Sequence, residues 1–182
     1  MNRPATPSTT GSPAATPSAA AGPAAPAQTA REKLLGTART ELGPALIGYH
    51  GTDDGALCLR VQLSGYRRAA EIVRGHGIDR LDFITCVDWR DHLMLTVQGY
   101  GIESRLQVRL SARVARDGQE VPTVTDLWFL ADWEERETYD QFGLVFSDHP
   151  DLRRLLNPEG WEGHPLRKDY VDRVAIARPQ YF

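Results

Sequence analysis

The chain has 182 residues, 41% hydrophobic and 25% charged, with a formal net charge of -3. That size supports one modest globular domain with appendages, and the near-neutral charge gives no positive field to draw the chain to phosphate backbones, which excludes a nucleic-acid binder. No apolar run nears the roughly 20 residues needed to cross a bilayer, and the start of the chain lacks the hydrophobic region of a secretory signal, so the chain is expected to stay on the side of the membrane where it is made.

Residues 1–28 are mostly Ala, Pro, Ser, Thr and Gly with a single charge at Arg3. Such a stretch buries too little surface to offset its ordering entropy, and it is predicted to be a disordered tail. Prolines at positions 4, 7, 13, 17, 23 and 26 forbid the amphipathic helix of a transit peptide. Order is expected from Thr29, where Thr29-x-x-Glu32 has capping-box form ahead of Leu34, Leu35, Ala38 and Leu42 at helical spacing. Gly43-Pro44 then stops the helix.

A strand is predicted over 56–63, after the turn-rich Gly51-Thr52-Asp53-Asp54-Gly55. Ser64 is placed to cap a second helix with Tyr66, Ala69, Ala70 and Val73 on one face, ending near Gly75 to Gly77. Three further strands follow, over 81–89, 93–100 and 104–114. In the last of these Leu106, Val108 and Leu110 alternate with Arg105, Gln107 and Arg109, and the short links favour an antiparallel meander. The only cysteines, Cys58 and Cys86, lie inside these apolar runs and read as small buried hydrophobes. An iron-sulfur cluster needs about four thiolates, so this chain alone can hold none. No Gly-x-Gly-x-x-Gly or Walker loop marks a nucleotide site.

A third helix is predicted from Thr123-x-x-Asp126, again a capping box, to Gly143. Leu130, Trp133 and Glu137 share a face of it, so the Glu137 carboxylate is expected to need a partner, while Asp132 and Arg136 are spaced as a solvated i,i+4 pair. The fold class is α+β: a two-layer domain with a mostly antiparallel mixed sheet and two to three helices, followed by an extended C-terminal arm. The expected organisation is a tail over 1–28, a core over 29–121, a helix and turn over 122–146, and the arm over 147–182.

The arm is broken by Pro150, Pro158 and Pro165, and has few aliphatic anchors. His149-Pro150 is echoed by His164-Pro165, each followed by cations, and stiff His-Pro pairs lose less entropy on docking. Arg153, Arg154 and Arg167 offer planar forks, and Trp161 is a large anchor of the kind that dominates interfaces. The arm is therefore expected to be mobile alone and to take its burial from a neighbour. The plainer alternative is that these arginines are solvated or pair with Asp148, Asp151, Glu159, Glu162 and Asp169 in the same arm. All but Lys33 and Lys168 of the 21 basic residues are Arg, so codon composition could explain their abundance. His149, Asp151, His164 and Asp169 are metal-ligand types without metal-ligand spacing. Glu134, Glu135 and Glu137 point to different helix faces, a poor arrangement for general acid-base work.

The run Asp132-Trp133-Glu134-Glu135-Arg136-Glu137-Thr138-Tyr139-Asp140-Gln141-Phe142-Gly143, then His149-Pro150-Asp151-Leu152-Arg153-Arg154-Leu155-Leu156, then Gly163-His164-Pro165-Leu166-Arg167-Lys168-Asp169-Tyr170, closely resembles the C subunit, or 30 kDa subunit family, of the proton-translocating NADH-quinone oxidoreductase, respiratory complex I. The likeness covers roughly residues 31–172. It departs at Val171, where family members usually carry proline. It implies a non-catalytic scaffold of the hydrophilic arm, on the cytoplasmic side of the membrane. Such a chain binds no cofactor itself and docks chiefly beside the hydrogenase-like D subunit that helps form the quinone site, and beside the B and I subunits, while FMN, iron-sulfur clusters, NADH and quinone belong elsewhere in the complex. It also implies that Glu135, Arg136, Glu137, Tyr139 and Asp140 set the helix against the arm, and that Arg153, Arg154, His164, Arg167, Lys168 and Asp169 grip neighbours, with His149 and Trp161 in the same surface. The same family serves related membrane-bound hydrogenases and ferredoxin- or F420-linked complexes, which stand as the alternative, with a small metal-dependent enzyme as the remote one.

Overall fold

The computed structural model describes residues 25–171, and its elements largely follow the apolar spacing of the sequence. Helix α1, Ala25–Leu42, buries Leu34, Ala38 and Leu42 at four-residue steps. It begins before Thr29, which therefore lies inside the helix and does not cap it. Pro26 falls in the first turn, where a missing amide hydrogen costs nothing. Of the disordered tail expected over 1–28, residues 25–28 belong instead to α1, while 1–24 and the end of the arm over 172–182 lie outside the described residues.

Strand β1, Leu46–Gly51, was not foreseen, because two glycines, an irregular register between Leu46 and Gly48 and a largely exposed course hide any alternation. Strand β2, Leu57–Val61, leads through a single 3₁₀ turn, Leu63–Gly65, into α2, Tyr66–Gly75. Ser64 sits in that turn, and α2 has no side-chain cap. Gly65 precedes it because a Cβ there would lie 2.6 Å from the Ala45 methyl. Helix α2 buries Tyr66, Ala69, Ala70 and Val73 as predicted, with Ile72 beside them.

Strands β3, Arg80–Asp88, β4, His92–Tyr100, and β5, Gln107–Ala115, form the expected antiparallel meander. The five-stranded sheet runs β1-β2-β5-β4-β3 and is antiparallel except where β2 lies parallel to β5. The mostly antiparallel mixed sheet with three helices is the predicted α+β class. Leu57, Leu59 and Val61 align with Val108, Leu110 and Ala112, and these with Val97 and Leu95, so one sheet face joins the core under α1 and α2. The other face is wetter, with Arg109 donating to the Gln98 side-chain Oε1 at 2.7 Å and 2.9 Å. Cys58 and Cys86 are buried free thiols, and burial pushes Cys86 up to about 12.

Helix α3, Ala131–Phe142, is shorter than predicted and lies along β3, the edge of the sheet. The capping box at Thr123 fails because its parts are used elsewhere: Thr123 bonds the Glu135 carboxylate, and Asp126 is forked by Arg67 at 2.6 Å. The short strands β6, Val121–Pro122, and β7, Phe146–Ser147, pair in parallel and bracket α3. On α3 the Glu134 carboxylate accepts the Ile84 N–H at 3.1 Å, and the Thr138 hydroxyl donates to the Ile84 carbonyl at 3.2 Å. The helix thus satisfies edge groups that would otherwise invite another strand.

Candidate functional site: helix α3 and the arm

Gly143 ends α3 in the left-handed conformation, φ +69, and donates to the Tyr139 carbonyl at 2.8 Å. A Cβ at this position would run into the His164 ring, so glycine is required twice over. The remaining carbonyls of the last turn have no partner within the helix. The arm supplies them. His164 Nδ1 and Arg154 meet the Asp140 carbonyl at 3.0 Å and 3.3 Å, the Leu166 N–H reaches Gln141 at 3.1 Å, and Arg167 Nε donates to Phe142 at 2.5 Å. Two guanidinium groups at the negative end of a helix dipole add favourable charge.

The Asp140 side chain is fully buried and fixes the arm from the other side. One carboxylate oxygen accepts the successive backbone N–H groups of Leu155, Leu156 and Asn157 at 3.1 Å, 2.8 Å and 2.8 Å. The other accepts Arg154 at 2.6 Å and the Asn157 amide at 2.9 Å. Burial opposes ionisation here, but the Asn157, Arg154 and Leu156 donors outweigh it and hold this carboxyl well below the usual carboxylate range. The His164 ring packs edge-on to Tyr139, and burial lowers its basicity.

A second buried carboxylate, Asp88 at the end of β3, holds the arm's far part. It accepts the Lys168 N–H at 2.8 Å, the Arg90 N–H at 2.6 Å and Arg116 at 2.7 Å. Burial opposes these donors and loses, so Asp88 is also more acidic than usual. Arg116 reaches on to Asp169 at 2.5 Å, and Arg167 to Asp117 at 3.0 Å. The sequence reading passed over Asp88, Arg116 and Asn157. The signal for Asp88 was present: it follows Ile84 and Cys86 in a two-residue alternation, which puts a carboxylate on the core face.

At the start of α3 the buried carboxylate is Glu135, not Glu137. Glu137 is exposed and Trp133 is 49% exposed, so the stripe that seemed to need a partner for Glu137 faces outward. Glu135 accepts the Thr123 hydroxyl at 2.6 Å and the Val124 N–H at 2.7 Å, and burial pushes it up to about 7. His149, with no accessible side-chain surface, lies 4.0 Å from it. Arg136 is buried and does not pair with Asp132. Its guanidinium lies 5.3 Å from the Trp133 ring centre and donates to the Arg153 and Arg154 carbonyls.

The predicted residues therefore separate into two groups. Glu135, Arg136, Tyr139, Asp140, His149, Arg154, His164, Arg167 and Asp169 are joined within the chain, whereas Glu137, Arg153 and Lys168 extend their side chains outward. Arg153 pairs, among the described residues, with the exposed Asp151, as the plainer alternative had it. Trp161 is half-buried beside a groove of about 640 Å³ that His164, Arg167, Asp169 and Tyr170 also line. The arm was expected to draw its burial from a neighbour, yet over 149–169 it is held by carboxylates and carbonyls of its own domain. Among the described residues no three His, Cys, Asp or Glu side chains gather as metal ligands would. Exposed apolar surface flanks this unit at Phe129, 88% exposed, and at Leu130, Trp133, Leu156 and Leu166.

The chain is similar in sequence and in fold to known proteins. The C subunit of NADH-quinone oxidoreductase from Salinispora tropica is 38% identical over 125 residues, covering 65% of this chain and 51% of the relative. A C/D subunit of the same enzyme from Psychrobacter is 44% identical over 80 residues, 44% of this chain and 13% of its own. The chain spans about half the length of the curated relatives it matches. A trypsin-resistant fragment of Nqo5 superposes with a TM-score of 0.58 at 25% identity, over 68% of this chain and 99% of the fragment. The model of the respiratory-chain NADH dehydrogenase 30 Kd subunit matches residues 59–174, from β2 to just past the arm's last described residue, and the chain belongs to that family.

Proposed function

We propose that this chain is a non-catalytic structural subunit of the hydrophilic arm of proton-translocating NADH:quinone oxidoreductase, held at the cytoplasmic face of the membrane by its neighbours. It docks beside the quinone-site D subunit, with the B and I subunits as further contacts, and supports electron transfer from NADH to quinone without itself holding FMN, an iron-sulfur cluster, NADH or quinone. Family membership supports the complex, and the C/D relative, by its name, supports D as the neighbour. The observation that carries the role is the division of labour in α3 and the arm. Their buried charged groups serve mainly internal bonds, while Phe129, Leu130, Trp133 and Leu156 stand exposed next to them. Rigid aromatic surface of this kind supplies interface energy, and a prearranged arm loses little entropy on docking.

Co-expression with the sister subunits tests the role. Phe129→Ser with Trp133→Ser is expected to leave the melting curve of the free chain within about 1 kcal/mol of wild type, as surface changes do, and to lower the yield of assembled complex. NADH:quinone turnover per assembled complex should stay unchanged. Full assembly of the double variant would overturn this docking surface, and failure of the wild-type chain to co-purify with any sister subunit would overturn the role itself.

A further inference from the structure

We propose that the Arg136 guanidinium is a receptor for a carboxylate on a docking partner's polypeptide, taken in beside Trp133. The inference rests on the docking surface proposed above and names the chemistry which that surface recognises. Arg136 is 8% exposed, and among the described residues no Asp or Glu pairs with it. The other shielded guanidinium groups around the arm are all matched: Arg116 by Asp88, Arg154 by Asp140 and Arg167 by Asp117. A guanidinium this far from water ordinarily sits against an anion, because its lost hydration is otherwise not replaced. What Arg136 has instead is weak. Nε and Nη2 turn one edge of the fork to the carbonyls of Arg153 and Arg154 at 3.3 Å and 3.5 Å, beyond ordinary N–H···O lengths.

The other edge, Nη1 with the second hydrogen of Nη2, has no acceptor among the described residues and is not cut off from solvent. Two parallel N–H groups spaced in this way match the two oxygens of a carboxylate. The fork lies 5.3 Å from the centre of the half-exposed Trp133 ring, so an approaching chain meets the indole and the cation together. Leu130 and Leu156 add exposed apolar surface. Such surroundings suit a polypeptide segment that carries one Asp or Glu among hydrophobic side chains. Covering Trp133 would strip the remaining water from the ion pair and strengthen it. A phosphate group fits less well. Asp132 and Glu137 on the same helix repel two negative charges more than one, and Arg153, the exposed cation of the adjoining arm, pairs with Asp151.

The test is zero-length carbodiimide cross-linking of the complex assembled with its sister subunits, wild type against Arg136→Lys, read by peptide mass spectrometry. The introduced amine keeps the charge and should become joined to an Asp or Glu of a sister chain, a link that the wild-type guanidinium does not make. No such link, or links only to Asp132 or Glu137 of the same chain, would overturn the proposal, and an Arg136 that served the fold alone would give that result. Arg136→Met keeps the stem and removes the charge, and it should weaken binding of the chain to the sister subunits about tenfold or more. Unchanged binding would likewise overturn the proposal. Phe129→Ser with Trp133→Ser separates the two readings: if that pair lowers assembly while Arg136→Met does not, the docking surface stands and its recognition of a carboxylate falls. Should Arg136→Met fail to fold, as its melting curve would show, the cross-link from Arg136→Lys decides.

Discussion

At the scale of single residues, two carboxylates with opposite tendencies govern the helix-arm junction. Asp140 is held ionised by five donors, so Asp140→Asn leaves those donors poorly matched and should cost about 3 kcal/mol at neutral pH, read by denaturant unfolding. Its depressed titration gives stability that is complete above the ordinary carboxylate range and is lost as the pH falls through the folded-state value. Glu135 works in the reverse sense. Raised from 4.5 to about 7, it gives stability that is complete below the lower value and is lost as the pH climbs through the upper one, on the order of 3 kcal/mol in all. His164, lowered by burial, loses stability on acidification and so runs against Glu135. The Glu135 contribution is therefore read as a difference: the melting temperature of Glu135→Gln minus that of wild type should rise steadily from pH 5 to pH 8. A difference that stays flat across that interval would contradict the assignment.

At the scale of elements, legibility followed how locally each element is determined. Strand β5 and the buried face of α2 were readable because their apolar periods are strong. The end of α3 was equally plain, since Gly143 marks a left-handed cap wherever it is placed. The start of α3 was not readable, because Thr123 and Asp126 answer to Glu135 and Arg67, which are distant in the chain. Strand β1 was missed for the same reason: nothing in Leu46–Gly51 announces the partner that makes it a strand. The contact between α3 and the sheet edge was likewise invisible. It predicts that Thr138→Val, which keeps shape and removes the hydroxyl, costs about 1–2 kcal/mol by leaving the Ile84 carbonyl without its donor. Hydrogen exchange should place the loosening at β3 and not at α1, and equal protection of β3 in the two proteins would refute it.

At the scale of the whole molecule, the arm is part of the fold as well as a candidate docking surface. The sequence displayed its residue types plainly, but a carboxylate on a helix and a carbonyl at its end leave no pattern that says which arginine will find them. The three arm arginines are thereby predicted to differ. Arg154→Ala and Arg167→Ala should each lower the free chain's stability by about 2–4 kcal/mol, since each leaves buried acceptors bare. Arg153→Ala, which removes an ion pair with an exposed aspartate, should fall within about 0.5 kcal/mol of wild type. Chemical denaturation of the three variants checks the ranking. If Arg153 proved the costliest, the internal bonding described for the arm would be wrong.

The completion of α3 by Arg167, 25 positions beyond the carbonyl it meets, has a consequence for synthesis. While the polypeptide is still emerging from the ribosome, the helix is already translated but its final turn has nothing to bond to except water. The sheet can assemble first, whereas this junction waits until residues 164–167 have been made. A message cut short before codon 164 would yield a protein with a sound sheet and a frayed helix.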